Sequence, residues 1–459
     1  MTVLRCISPV DGSVYAERPT LNQAAAARAV DRGRAAQRDW AARPLQARVK
    51  LVLGGVAAIG AMNDRIVPEL AWQMGRPIRY GGEFGGFEER ATHMAKIAES
   101  ALADIAVGGD TAIQRYIQRV PHGVVFVIAP WNYPYMTAIN TVAPALIAGN
   151  TVVLKHAAQT LLVGERMAQA FHAAGVPEAV FQNVFLDHDT TTALIAGNAF
   201  DFIQFTGSVN GGRAIERAAA GTFTGVGLEL GGNDPGYVME DADLDAAVDT
   251  LIDAALFNSG QCCCAIERIY VHRRHIDAFI AKSLERVSAY RLGNPLHPET
   301  TLGPMAHKRF ADTVRAHTAE AVATGATALI EPFTEDDGGV YLSPQLLTGV
   351  THDMRIMREE SFGPVAGIMP VRNDAEAIAY MNDSEFGLTA SLWTTDIKRA
   401  AHVGNQLETG TVFMNRADYL DPGLCWTGCK NTGRGGSLSV IGYHNLTRPK
   451  SYHLKTVTQ

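Results

Sequence analysis

Hydrophobic and polar positions follow two different periods along this chain. Residues 21–107 are rich in Ala, Arg and Glu and carry apolar residues at helical spacing, so they are predicted to be helical. The stretch 110–120 (DTAIQRYIQRV) is half apolar and half polar, which favours an edge ribbon or a hairpin. Residues 447–459 alternate in a similar way, and we expect there a strand that adds to a sheet.

From Gly123 onward, short β-rich runs are separated by helical segments. The runs are GVVFVIAP, TVVLK, VFQNVF, FDFIQF and TGVGLEL. Such alternation predicts an α/β protein with βαβ units around a parallel sheet, in which ligands bind beyond the carboxyl ends of the strands. The alternation resumes with new material near Asp234, and we expect a domain change there.

Composition and charge narrow the class of protein. A chain of 459 residues with 47% hydrophobic and 19% charged residues is expected to form two or three globular domains. The net charge of −7 and the lack of a long basic run argue against a nucleic-acid partner. No apolar run approaches the ~20 residues of a membrane helix, and the N-terminus lacks the apolar core of a signal peptide.

Six cysteines are present, and Cys262, Cys263 and Cys264 are consecutive. This is a poor disulfide framework and fits a reducing compartment, so a cytoplasmic location is expected. A thiolate is a strong nucleophile, yet free cysteines are also among the most buried residues, and the triplet alone favours neither interpretation. A metal site is less favoured, because adjacent cysteines are expected to point apart. Cys425 and Cys429 could add ligands only if the fold brought them near.

Two polar residues stand at strand ends. Glu229 follows an apolar run and precedes Gly231 and Gly232, which permit close backbone approach; it could act as a general base or be a solvated glutamate. Asn132 follows a β-rich run and could donate a hydrogen bond to an oxyanion, or it could be a turn former or a helix cap.

The signals for a cofactor are individually weak. No G-x-G-x-x-G fingerprint follows a strand, but FTGS after FDFIQ opens a helix whose N-terminus could hold a phosphate. Lys155, at the end of TVVLK, could reach a ribose or phosphate, or simply be solvated. Glu360 and Phe362 could contact a ribose and a ring.

Taken together and in order, nine segments resemble the aldehyde dehydrogenase superfamily over nearly the whole chain. They are SPVDGSVYAERP, APWNYP, VLK, FTGS, LELGG, FNSGQCCCA, GNPLHPETTLGPM, EESFGPV and NTGRGG. The resemblance implies a non-acylating enzyme that oxidises an aldehyde to a carboxylic acid with NAD or NADP.

The same resemblance assigns roles to individual residues. Cys263 matches the nucleophile, Glu229 the base that activates water, and Asn132 the oxyanion amide, with Cys262 and Cys264 in the wall of the substrate tunnel. The implied cofactor-binding positions are Ile128, Trp131, Lys155, Gly207, Ser208, Gly212, Glu360 and Phe362, and no metal is implied.

It also implies a domain organisation. A Rossmann-like cofactor domain would comprise residues 1–102 and 122–233, and an α/β catalytic domain residues 234–445. Residues 103–121 and 446–459 would form a small β oligomerisation element, so a homodimer or homotetramer is expected.

Three departures from the family pattern bear on function. Asn233 stands where a lysine often follows LELGG, so a charge in the cleft is missing. Ala158 stands where many NAD-preferring members carry a glutamate, so NADP use becomes plausible. The FTGS turn continues as VNGG rather than the commoner TEVG.

Two alternatives remain open at this stage. A CoA-acylating enzyme would not need Glu229, and a catalytically silent relative could lose the nucleophile.

The resemblance places Tyr133, Thr137, Asn140 and residues 416–424 in the substrate tunnel. Their mixed polar and aromatic character favours a small polar aldehyde.

Overall fold

The computed structural model of the chain describes residues 2–108, 113–331 and 339–455. The long helical segment near the N-terminus folds as four helices, as expected, although residues 105–106 of it form a strand. In chain order the described helices are α1 (Gln23–Ala42), α2 (Leu45–Ala61), α3 (Asn63–Met74), α4 (Phe84–Ala101), α5 (Pro134–Ala148), α6 (Leu161–Ala173), α7 (His188–Ala196), α8 (Val209–Ala219), α9 (Leu244–Leu256), α10 (Ile276–Ser288), α11 (Lys308–Ala323), α12 (Asp374–Asn382), α13 (Ile397–Gly404) and α14 (Ser439–Asn445).

Strands alternate with these helices from residue 124 onward, which confirms the predicted α/β class. The described strands are β1 (Val3–Ile7), β2 (Val14–Pro19), β3 (Ile105–Ala106), β4 (Ile113–Pro121), β5 (Val124–Ala129), β6 (Thr151–His156), β7 (Phe181–Asn183), β8 (Phe202–Thr206), β9 (Gly225–Glu229), β10 (Asp234–Val238), β11 (Ile266–His272), β12 (Thr327–Ala328), β13 (Gln345–Thr348), β14 (Val365–Val371), β15 (Phe386–Gly387), β16 (Thr389–Trp393), β17 (Thr411–Met414), β18 (Cys429–Lys430), β19 (Gly433–Arg434) and β20 (Thr447–Lys455).

A six-stranded sheet with the order β19-β9-β8-β5-β6-β7 forms the centre of the first half of the chain. All its pairs are parallel except β19 with β9. Every residue of β5 and β6 is buried, as expected for central strands of a parallel sheet with helices on both faces. The strands β5, β6, β8 and β9 therefore end at one common edge.

A seven-stranded sheet with the order β12-β13-β14-β11-β10-β16-β17 follows. Its pairs are parallel except β12 with β13. The last large-sheet strand before Asp234, β9, belongs to the first sheet, and β10, which begins at Asp234, belongs to the second. The change of sheet thus falls at the position where the sequence pattern changes.

A separate three-stranded antiparallel sheet joins the tail to the segment before β5. Its order is β20-β4-β3, and the β20–β4 register runs from Thr447 opposite Pro121 to Lys455 opposite Ile113. The hairpin expected near residue 115 and the strand expected in the tail are both present here. Residues 109–112 and 456–459 of those two predictions lie outside the described residues.

Among residues 2–108, 113–331 and 339–455, no single helix combines the length and apolarity needed to cross a bilayer. Helices α2 and α3 meet such a test only when taken together, and they are bent by 71° relative to each other.

Candidate active site

The common edge of the six-stranded sheet collects several predicted cofactor residues. Ile128, near the end of β5, pairs with Lys155 on β6 and with Phe205 on β8. Gly207 and Ser208 follow β8 directly. Because ligands bind beyond the carboxyl ends of parallel strands, this edge is where a dinucleotide would lie.

Lys155 is not a solvated surface lysine, since only 8% of its surface is exposed. Burial lowers its pKa. Ser208 caps α8, and its Oγ accepts a hydrogen bond from the Gly211 N–H at 3.2 Å. Gly212 packs so closely on Leu230 that a Cβ there would lie 2.7 Å from the leucine Cδ2. The unusual VNGG continuation thus still forms a capped helix start against β9.

The cysteine triplet lies in a loop between α9 and β11 that the chain holds rigidly. Asn258 and Ser259 adopt left-handed backbone angles, with φ of 54° and 57°. The Gln261 side chain donates to the Asn258 carbonyl at 3.0 Å and accepts from the Ala306 N–H at 2.8 Å. Left-handed non-glycine residues are strained, and such strain is found mainly at functional sites.

The three thiols converge, so the expectation that adjacent cysteines point apart is wrong. Their Sγ atoms all lie within 4.8 Å of one another, and those of Cys262 and Cys264 are 3.5 Å apart. Both of these thiols also lie near Asp418 Oδ1, at 3.2 Å and 3.0 Å. The loop conformation turns the side chains toward one space. Within the described ranges, neither Cys425 nor Cys429 joins this cluster.

Cys263 differs from its neighbours in exposure and in acidity. Cys262 and Cys264 are buried, whereas Cys263 is partly exposed. Hydrogen bonds from the Cys262 and Cys264 thiols lower the pKa of Cys263 to about 6. The most exposed residue of the triplet is thus also the one whose pKa is lowered, which favours a thiolate at this position.

Asn132 faces the cysteine loop and does not cap a helix. Its Nδ2 donates to the Gln261 carbonyl at 3.2 Å, and it is 5% exposed. A primary amide carries two N–H donors, so one remains for a ligand. The Asn132 carbonyl accepts from Arg76 Nη2 at 2.5 Å, and Arg76 forms a buried ion pair of 2.6 Å with Glu83. Sequence reasoning missed this pair.

Glu229, the last residue of β9, is 8% exposed and is not solvated. Its Oε2 accepts from Thr206 Oγ1 at 3.3 Å. Its Oε1 has no hydrogen-bond partner among the residues that the structure describes. Burial raises the pKa of this carboxyl, which makes it a stronger proton acceptor than an exposed glutamate.

The Gly231-Gly232 turn joins Glu360 to the cysteine loop. The Gly232 N–H donates to Glu360 Oε1 at 3.0 Å. A Cβ on Gly231 would lie 2.3 Å from both carboxylate oxygens of Glu360, and one on Gly232 would lie 2.4 Å from the Cys263 carbonyl oxygen. The predicted close backbone approach at this turn is present.

Phe362 lies beside Trp131, with ring centroids 5.7 Å apart and nearly perpendicular planes. Its backbone φ of 50° is left-handed. The buried Glu267 holds this conformation, because its carboxylate accepts from the backbone N–H groups of Ser361 and Phe362 at 2.8 Å. Nothing in the sequence pattern singled out Glu267.

Asn233, which stands where the family often has a lysine, makes hydrogen bonds within the protein. Its Nδ2 donates to Glu267 Oε2 at 2.9 Å and to the Glu359 carbonyl at 3.0 Å. The departure therefore supports the segment that carries Glu360 rather than leaving an empty space in the cleft.

One predicted tunnel segment, residues 416–424, reaches the cysteines through Asp418, as described above. Tyr133 and Leu420 pack against the large apolar core cluster to which Cys262 and Cys264 also belong. Thr137 donates through its hydroxyl to the Tyr133 carbonyl at 2.7 Å, and Asn140 is buried. Sequence reasoning missed Arg90, a buried arginine in the apolar stripe of α4, although a lone charge in such a stripe is a recognisable signal.

Comparison with known proteins agrees with this geometry. The model of the aldehyde dehydrogenase family matches residues 2–452. The chain is 31% identical to the NADP⁺-dependent succinate-semialdehyde dehydrogenase of Deinococcus radiodurans, covering 97% of this chain and 93% of that protein. It is 33% identical to the betaine aldehyde dehydrogenase of Sinorhizobium fredii, covering 99% and 94%. The solved structure of an indole-3-acetaldehyde dehydrogenase with NAD⁺ superposes with a TM-score of 0.94 at 30% identity, covering 99% and 93%.

The α/β fold and the family match over nearly the whole chain together identify an oxidoreductase, and the chain belongs to the aldehyde dehydrogenase family. It is an NAD- or NADP-dependent enzyme that oxidises an aldehyde to a carboxylic acid.

Proposed function

We propose that Cys263 is the nucleophile of this oxidation. The observation that carries the proposal is the convergence of three thiols at Cys263, the one residue of the triplet that is partly exposed and whose pKa is lowered to about 6. As a thiolate, Cys263 attacks the aldehyde carbon. The remaining N–H of the Asn132 amide and the backbone N–H of Cys263 hold the oxyanion, and one such donor contributes about 3 kcal/mol.

The cofactor would lie along the edge formed by β5, β6 and β8. The buried Lys155 and the start of α8 suit a ribose and a pyrophosphate, and Glu360 suits the second ribose. NAD⁺ or NADP⁺ held along this edge would supply the acceptor for the hydride that leaves the substrate carbon. The thioester that remains on Cys263 is then hydrolysed.

Glu229 serves as the general base for that hydrolysis. Its raised pKa and its unpartnered Oε1 suit a group that removes a proton from water. A CoA-acylating enzyme would not need this carboxyl, and NADH formation measured with and without CoA separates the two cases. A silent relative would bind NAD(P)⁺ without turning over any aldehyde.

Two variants test the assignment. Glu229→Gln should accumulate an acyl-enzyme after one equivalent of reduced cofactor, and steady-state kcat should fall by about 100-fold or more, the usual contribution of a general base. Cys263→Ala should give no such burst while it still binds the cofactor. Unchanged steady-state rates in Glu229→Gln with no trapped adduct would exclude the base role, and turnover by Cys263→Ala would exclude the nucleophile.

We also propose how the chain divides into domains. Residues 1–102 and 122–233 form the cofactor domain, and residues 234–445, which contain the cysteine loop, form the catalytic domain. Residues 103–121 and 446–459 mediate a homodimer or homotetramer, a proposal that the exposed edge of β20 supports.

All six cysteines are free thiols, which supports a cytoplasmic location.

A further inference from the structure

A buried arginine lies beside the cysteine site and has no role in the mechanism above. Arg90 belongs to the inward face of α4, with Phe87, Ala91 and Met94, and is 7% exposed. Burying a guanidinium is costly unless its charge and its donors are satisfied. Arg90 therefore needs a physical explanation.

The protein satisfies this side chain only in part. Arg90 Nη1 donates to the Met136 carbonyl at 3.0 Å and to Asn140 Oδ1 at 3.3 Å. Its Nε is buried without a partner, and no described carboxylate forms an ion pair with it. Arg76, in contrast, is paired with Glu83 at 2.6 Å. Among the described residues, Arg90 thus has no direct ion pair and one donor left open.

The guanidinium is close enough to the reacting groups for their charges to act on it. The charges of Glu83, Cys264, Glu229 and Cys263 all raise its pKa, against a larger lowering by burial. Through its bonds to Met136 and Asn140, Arg90 also contacts α5, the helix that begins two residues after Asn132.

Two further donors in this region are buried without partners. Because Arg90 occupies Asn140 Oδ1, the Asn140 amide is oriented with its Nδ2 as the open end, and this atom has no partner. The Tyr133 hydroxyl is also unpartnered, and the charges of Cys262, Cys264 and Asp418 act on it. These donors, which lie on or beside positions that the sequence predicts in the substrate tunnel, suit a ligand that offers acceptor oxygens and a negative charge.

We propose that Arg90, with Asn140 and Tyr133, binds a carboxylate at the far end of the substrate, so that the preferred substrates are short aldehydes that carry a second, anionic end. This inference rests on the proposed function, because Cys263 must hold the carbonyl end of the same molecule. Neutral acceptors would leave the guanidinium without a direct ion pair, and a cationic end would be repelled.

Three short aldehydes test this selectivity in the enzyme supplied with NAD⁺ or NADP⁺. Succinic semialdehyde has an anionic far end, butanal an apolar one and betaine aldehyde a cationic one. We expect kcat/KM to be highest for succinic semialdehyde. In Arg90→Met the ratio of kcat/KM for succinic semialdehyde over butanal should fall about 10- to 100-fold, the value of a charged hydrogen bond, mainly through KM. Arg90→Lys should recover part of the ratio.

Arg48→Met is a matched control, because Arg48 is also buried but donates to the backbone carbonyls of Ile147 and Ala41. It should change stability and leave the substrate ratio unaltered. The inference is overturned if the wild-type enzyme favours butanal or betaine aldehyde. It is also overturned if Arg90→Met lowers kcat/KM equally for all three aldehydes.

A binding measurement separates this inference from the proposed function. Succinate should protect Cys263 from alkylation by iodoacetamide in the wild-type protein and should protect it far less in Arg90→Met. This readout needs no turnover. Protection without aldehyde oxidation would preserve the carboxylate site and reject the proposed mechanism, whereas oxidation without Arg90-dependent protection would reject the carboxylate site alone.

Discussion

Replacing Cys262 and Cys264 together with alanine would remove the two thiols that lower the pKa of Cys263. The pKa of Cys263, which they lower to about 6, should then return toward the value of 9.0 of an unperturbed thiol. At pH 7 the thiolate fraction would fall from about 90% to about 1%. This change is large enough to measure directly.

The rate at a single pH is a poor measure of this effect. A less acidic thiol is intrinsically more nucleophilic, and with the usual Brønsted slope a rise of three pKa units offsets about 15- to 30-fold of the loss. The net reduction at pH 7 is then only about 3- to 6-fold. The pH midpoint of the reaction is therefore the quantity to determine.

The assay is alkylation of Cys263 by iodoacetamide from pH 4.5 to 10, followed by mass spectrometry of the peptide that contains the triplet. The wild-type midpoint should lie near 6 and that of the double alanine variant two or more units higher. The double serine variant keeps two O–H donors and should retain a low midpoint. Cys429→Ala, which removes a thiol outside the cluster, should leave it unchanged. A midpoint that stays near 6 in the double alanine variant would refute the reasoning.

Two further substitutions probe the cofactor edge. Ala158→Glu places a carboxylate at an exposed position just after β6. Because this carboxylate would repel the 2′-phosphate, the ratio of kcat/KM with NAD⁺ over NADP⁺ should rise about 10-fold or more, whereas Ala158→Gln should change the ratio little. An equal ratio in both variants would contradict this prediction. Gly231→Ala would place a Cβ 2.3 Å from the Glu360 carboxylate and displace it, so KM for the cofactor should rise about 10-fold. Gly85→Ala, whose Cβ meets no atom within 4 Å, should leave this KM unchanged. An unaltered KM in Gly231→Ala would show that Glu360 does not bind the cofactor.

The alternation of strands and helices was readable from the sequence because each element is set by residues close together in the chain. The position of Cys263 was readable for a related reason, since its motif is local. The convergence of the thiols could not be predicted from the sequence. It depends on left-handed backbone angles at Asn258 and Ser259, and periodicity and residue type do not predict these at non-glycine positions.

The supporting residues of the site escaped prediction because they act across long stretches of chain. Arg76 reaches Asn258 over 182 positions, and Glu267 reaches Phe362 over 95. Each looked like an ordinary charged residue in its own segment. Arg90 is the exception, since its place in the apolar stripe of α4 could have been noticed.

The pairing of β20 with β4 has a consequence during synthesis of the chain. Arg119, at one end of β4, contacts Thr447 across 328 positions. At ordinary translation rates this separation corresponds to about 15 to 65 s. For that interval the nascent chain carries a nine-residue strand with one edge unpaired, the kind of surface that promotes association between chains. A ribosome that stops shortly before Thr447 would release a polypeptide with both large sheets complete and this edge permanently open.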